Sequence, residues 1–290
     1  MGSRPSPGTS LNRAESSDKG QPGVKYLLNS FLASRRKGLS PLTLDFYTGY
    51  LTRASRVIGT TVTQNEITRF LDSLNCANGG RDAYLRSLSA FYNWLYSPKS
   101  GLNLDSQHNP VMWIEHPKME RKILPSLTQE QVKLIMEQAE SIRDKSIVSL
   151  FADSGLRLAE LSSINIGDID WEARIVKVKV KGNKEGLALF GEHTEKLLKA
   201  WLAEYSANSC IWDITFDGIS DMLERLSAKT GIYFTAHCFR RGFATTLAKK
   251  GVNELSIMRL GRWSSLSMVQ HYTESLKFKD AMQFYTAIVN

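Results

Sequence analysis

Cysteine is scarce here and has no partner of its own kind nearby. Cys76, Cys210 and Cys238 are odd in number and far apart, which argues against a disulfide framework and against a Cys-x-x-Cys metal site. No apolar run approaches the roughly 18 residues that would span a bilayer. The opening Met1-Gly2-Ser3-Arg4-Pro5 lacks the apolar stretch of a secretory signal, so a soluble cytoplasmic protein is expected. There is no phosphate-cradling Gly-x-x-x-x-Gly-Lys loop and no acidic cluster of metal-binding spacing. Proline stops at Pro125. What remains is a chain of 290 residues, 42% hydrophobic and 23% charged, enough to bury a sizeable core and to form two domains.

The net charge of +8 is unevenly spread. Residues 25–99 hold ten Lys or Arg against four acids, whereas residues 126–290 hold 21 against 20. A compact segment carrying most of the excess positive charge fits a polyanion partner, nucleic acid being the commonest, although a solvated basic face has the same composition.

Residues 1–24 are rich in Ser, Gly, Pro and Asn and read as a disordered tail. Residues 25–100 read as a run of helices. Tyr26, Leu27, Phe31 and Leu32 recur at helical spacing, as do Leu44, Tyr47 and Leu51 after Ser40-Pro41. Thr63 to Glu66 has the spacing of a capping box, and Tyr84, Leu85, Leu88, Phe91, Tyr92 and Leu95 make a fourth stripe. Such a module could grip DNA or bind another protein. Residues 101–125, with Pro110, Pro117 and Pro125, have linker composition. The second domain, 126–276, opens with a capping box at Thr128 and Gln131. Its one change of period lies at Val176, Val178 and Val180, alternating with Lys177, Lys179 and Lys181. Gly182-Asn183 then offers a two-residue turn, so a β-hairpin is expected. The remainder reads as helices, with Gly231 and Gly251 as terminating glycines. The fold class expected is mainly α with one small β-sheet.

Four places could carry chemistry. Arg157, in Gly155-Leu156-Arg157-Leu158-Ala159-Glu160-Leu161, follows a helix-ending glycine and opens a new helix with Glu160 three residues on. Taken alone, that is an ordinary surface ion pair. His237 and Arg240 share one face at the start of the helix that runs towards Lys250. They could approach one anion, the Arg through its planar fork and the His as a proton carrier, or be a plain helix-terminal pair. Lys181 and Lys184 flank the hairpin turn. Tyr272 follows Trp263 by nine residues, and a lone Tyr is usually a packing residue.

Taken in order, Gly-Leu-Arg-x-x-Glu-Leu, a hairpin Lys, His-x-x-Arg, Leu-Gly-x-Trp and a Tyr nine residues later resemble the tyrosine recombinase/integrase family over about residues 25–276. The resemblance implies a SAM-like helical core-binding domain joined to a mostly helical α+β catalytic domain. It also implies that Arg157, Lys181, His237, Arg240 and Trp263 surround a DNA phosphate attacked by Tyr272, with Glu160 orienting Arg157. Trp263 stands where many members have His and Cre-type recombinases have Trp, and Gly242 where many have a second His. His237 would be the base. Lys181, favoured over Lys184 because it continues the Lys177/Lys179 face, would protonate the leaving oxygen. A covalent 3′-phosphotyrosine conserves the bond energy, so neither metal nor nucleotide cofactor is implied. The implied partners are a specific duplex site and three further copies in a tetramer, associated with the nucleoid. A topoisomerase IB-like relaxing enzyme and a catalytically silent DNA-binding regulator are the alternatives. Residues 277–290 carry an apolar stripe, Ala281, Phe284, Tyr285 and Ile288, on a short helix that would dock on its own domain or on a neighbour.

Overall fold

The computed structural model describes residues 23–118, 124–180, 184–205 and 209–273, with Leu276, Met282 and Tyr285. Most of the tail expected over residues 1–24 lies outside the described residues. The chain divides into two compact units, Met1–Arg121 and Lys122–Asn290. No helix among the described residues is long and apolar enough to cross a membrane.

The first unit is built from α1 (Val24–Arg35), α2 (Pro41–Ala54), α3 (Gln64–Ser73) and α4 (Asn78–Leu95). Their starts are set by local chemistry. Ser40 caps α2 ahead of Pro41 at the first turn, and Thr63 and Glu66 exchange both capping-box bonds at α3. Phe31 is fully buried at the centre, with the rings of Tyr47, Phe91 and Trp94 5.7–5.8 Å away. Each side chain buried this way contributes about 1.5–3 kcal/mol of transfer free energy. Residues 101–118, of linker composition, pack onto these helices. Val111 is buried in their core, Asn109 donates to Asn93 at 2.7 Å, and His116 meets Asp82 at 2.7 Å. These contacts join positions 16 to 34 residues apart, which no local period announces.

The second unit holds α5 (Gln129–Gln138), α6 (Ile142–Ser154), α7 (Leu158–Ser162), β1 (Ile169–Asp170), β2 (Ile175–Val180), β3 (Lys184–Leu189), α8 (Glu192–Glu204), α9 (Phe216–Thr230), α10 (Ala236–Lys249), α11 (Glu254–Leu260) and α12 (Leu266–Thr273). The sheet is antiparallel in the order β1-β2-β3. Val176 and Val178 face the core while Lys177 and Lys179 are exposed, as alternation dictates. Val180 pairs with Lys184, which leaves three residues between the strands, one more than the two-residue turn expected at Gly182-Asn183. Lys181 is among those three and lies outside the described residues.

Two apolar clusters organise this unit. The larger centres on Phe151 stacked against Phe239 at 5.7 Å. The smaller gathers Ala244, Ile257, Trp263 and Val269 from α10 to α12, with Tyr272 against it. The short C-terminal helix expected over 281–288 falls outside the described residues, apart from Met282 and Tyr285, both exposed.

Candidate active site

Gly155 ends α6 in the left-handed region, φ +56°, a conformation glycine adopts without steric cost. The reversal puts Arg157 at the start of α7, where its backbone N–H and its Nη1 donate to the two oxygens of Glu160 at 3.0 and 2.5 Å. Glu160 is buried; the Arg157 side chain keeps 35% of its surface open. The surface ion pair that the sequence allowed is therefore an anchored one. A fixed carboxylate holds the stem of a guanidinium whose outer edge is free to meet solvent or an anion.

Arg240 comes from the first turns of α10 and is almost wholly buried. Its two terminal nitrogens donate to the carbonyls of Gly155 and Gly261, and its guanidinium lies 4.4 Å from the centre of the Trp263 ring. Gly261 is required by that ring, since a Cβ there would lie 1.9 Å from it. Burial, then the Arg157 and Arg262 cations, push Arg240 down from the ordinary arginine range, with Glu160 and Tyr272 acting the other way. A guanidinium does not give up its proton in a protein, so the site carries positive charge for which a bound anion would be the natural relief.

His237 precedes Arg240 by one turn and reaches solvent. Partial burial, then Arg241, Arg240 and Arg157, hold its imidazole below the ordinary histidine range. The neutral ring, which can take a proton, is thereby favoured. Trp263 is buried and its Nε1 has no hydrogen-bond partner among the described residues; Tyr272 packs on it with ring centres 5.5 Å apart. The structure thus gathers Arg157, Glu160, His237, Arg240, Trp263 and Tyr272. Lys184 is the exposed first residue of β3.

Two residues of this region were not legible as such in the sequence. Arg241 donates its Nε to the carbonyl of Pro125 at 2.6 Å. Next to it, Gly242 faces the backbone of Leu127, whose oxygen would be 2.5 Å from an added Cβ. Gly242 is thus required by a chain crossing. Arg262, whose side chain is 7% exposed, reaches Glu160 at 3.5 Å. Its one sequence signal is a charge wedged between Gly261 and Trp263.

Three guanidiniums and one carboxylate leave two positive charges uncompensated among Arg157, Arg240, Arg262 and Glu160. Residues 125–278 match the model of the phage integrase family. The chain belongs to this family. Among other integrase-family proteins it is similar to tyrosine recombinase XerA of Saccharolobus solfataricus, 31% identical over 54% of each chain, so it spans about half the length of that relative. It is also similar to tyrosine recombinase XerC of Shewanella amazonensis, 28% identical over 88% of this chain and 92% of the other. The fold resembles that of XerH site-specific recombinase bound to palindromic difH substrate in a post-cleavage complex, with TM-score 0.70, 19% identity and coverage of 92% and 85%. A lambda integrase dimer bound to a COC′ core site gives TM-score 0.72, 15% identity and coverage of 87% and 95%.

Proposed function

We propose that this integrase-family chain is a site-specific recombinase that cuts and rejoins DNA one strand at a time through a 3′-phosphotyrosine on Tyr272. The observation that carries the reading is the charge surplus of the cluster: half-buried Arg157 and buried Arg240 and Arg262 against Glu160 alone. A phosphodiester gains negative charge on its non-bridging oxygens as it is attacked, and preorganised cations stabilise that state more than the ground state. Arg157 and Arg240 supply the forks, and the indole N–H of Trp263 supplies a further donor.

The step balances without an outside reagent. The Tyr272 oxygen forms a bond to phosphorus while its proton passes to His237, which matters because a phenol with a pKa near 10 is a weak nucleophile at pH 7. The bond from phosphorus to the 5′-oxygen breaks, and that oxygen takes a proton from Lys181, or from its rival Lys184. Attack by a 5′-hydroxyl of a second strand reverses the sequence and releases the tyrosine. The bond energy is held in the phosphotyrosine, so rejoining draws on no nucleotide.

Four copies on two duplexes complete the reading. An open apolar groove of about 620 Å³, lined by Val132, Met136, Leu197, Phe239 and Phe243, suits the apolar stripe of residues 277–290 from a neighbouring copy. Removing residues 278–290 should then spare binding to one site and abolish cooperative assembly on two.

The test is a nicked duplex carrying a site selected from a random-sequence pool on the full chain. Incubated without metal or nucleotide, the chain should become joined to DNA, and peptide mapping should place the link on Tyr272. Salt-sensitive binding with no adduct would mark a silent regulator. Adducts formed at scattered positions by a monomer would mark a relaxing enzyme.

A further inference from the structure

Arg262 holds a backbone conformation, φ +56°, that an L residue with a long side chain adopts at a cost and glycine adopts freely. An observed outlier of this kind directs attention to what its side chain does. The Arg262 side chain does a good deal. Its Nη1 donates to the carbonyls of Leu187 in β3 at 3.0 Å and Leu260 at the end of α11 at 2.9 Å. Its Nη2 donates to the carbonyl of Ser154 at the end of α6 at 3.2 Å and lies 3.5 Å from Glu160 Oε2. On the way its Cδ crosses Gly186, where an added Cβ would lie 2.9 Å from it. One buried guanidinium thus connects the hairpin to the carboxylate that anchors Arg157.

We propose that Arg262 is a positioning residue that fixes strand β3 of the hairpin against the Arg157–Glu160 pair, so that the proton-donating arm and the phosphate-holding arm of the site keep one geometry. The inference rests on the strand-cutting function proposed above. A lysine could not replace it, because the planar fork is what reaches strand and carboxylate together. If the arginine merely filled a turn, its loss would slow every substrate alike. If it holds the hairpin, its loss harms the departure of the 5′-oxygen in particular, since that is the step the hairpin serves.

The test uses the selected nicked duplex in two forms, with oxygen or with sulfur at the 5′-bridging position of the scissile phosphate. A thiolate leaves without a proton. Arg262→Gly suits the backbone of the turn. Arg262→Lys keeps the backbone and the charge but loses the fork that spans strand and carboxylate. Both are compared with the unchanged chain at saturating protein, so that any affinity lost with the arginine does not enter the rate. Arg262→Gly should form the adduct about a hundredfold more slowly, the scale of a misplaced reacting group, and the sulfur duplex should restore most of the rate to both variants. Lys181→Ala and Lys184→Ala are measured alongside. If sulfur rescues a lysine variant but not Arg262→Gly, the proposal is overturned and the recombinase reading stands. If sulfur rescues neither lysine variant, the hairpin is not the proton source, and that part of the proposed function falls together with this inference. Should Arg262→Gly fail to fold, the same comparison of oxygen and sulfur duplexes on Arg262→Lys decides the question.

Discussion

In the first unit Lys25, Arg36, Lys37, Arg53, Arg56, Arg69, Arg86 and Lys99 are exposed, and the buried polar residues are Ser87 and Asn109. In the second, Glu160, Arg240 and Arg241 are buried, with Arg262 nearly so. Charge on the outside costs little and attracts a polyanion over a distance that salt shortens. Charge on the inside is expensive unless it is bonded, and even well-bonded buried ions contribute little to stability. Under the proposed function, the first unit would serve binding. The second carries a burden that only its chemistry accounts for.

Arg240 gives the largest expected break of this comparison. Arg240→Ala strips the Gly155 and Gly261 carbonyls of their donor, a loss of about 1–3 kcal/mol for each group left unpaired, but it also relieves the repulsion from Arg157 and Arg262. Adduct formation should fall by about a thousandfold, the upper range for losing one transition-state donor, while the denaturant midpoint moves modestly. A large fall in midpoint with proportionate loss of activity would mean that Arg240 is structural.

A second contrast sets two tryptophans side by side. Trp94 in the first unit and Trp263 in the second are both buried with an unpartnered Nε1. Trp263→Phe should slow adduct formation by about a hundredfold. Trp94→Phe should leave it unchanged, because that ring packs on Phe31 and Phe91 in the core of the first unit. Equal effects on activity would remove the special standing of Trp263.

A smaller effect is expected in the salt dependence of DNA binding. The full chain should lose affinity with salt more steeply than a chain starting at Lys122, by about 0.9 in slope for each phosphate contact that the first unit makes. Equal slopes would show that its exposed cations point elsewhere. The smallest effect concerns His237. By NMR titration of the free protein its pKa should lie below the ordinary 6.5. Neighbouring cations disfavour the protonated ring, so Arg157→Gln should raise it. An unchanged value would separate His237 from Arg157.

What the sequence disclosed follows from how local each signal is. The capping boxes at Thr63 and Thr128 and the alternation from Val176 to Val180 are written within a few residues, and each lies where the spacing puts it. The clustering of Arg157, Glu160, His237, Arg240, Trp263 and Tyr272 could be anticipated because their motifs stand in a characteristic order. The rest is non-local. Gly242 is fixed by a crossing at Leu127 and Arg241 by Pro125, more than a hundred positions away. Val111, in a stretch of linker composition, is a core residue because four helices leave room for it. Arg262 has no period to betray it, and its left-handed backbone shows only in three dimensions.

The central claim is that the arginines of the second unit hold the phosphate that the oxygen of Tyr272 attacks, and a paired measurement on Tyr272→Phe tests it most directly. That change removes one hydroxyl and keeps the ring against Trp263. Affinity for the selected duplex, titrated at several salt concentrations, should match the unchanged chain, and the covalent adduct should vanish. An adduct that persists in Tyr272→Phe, carried for instance by Tyr285, would contradict the account.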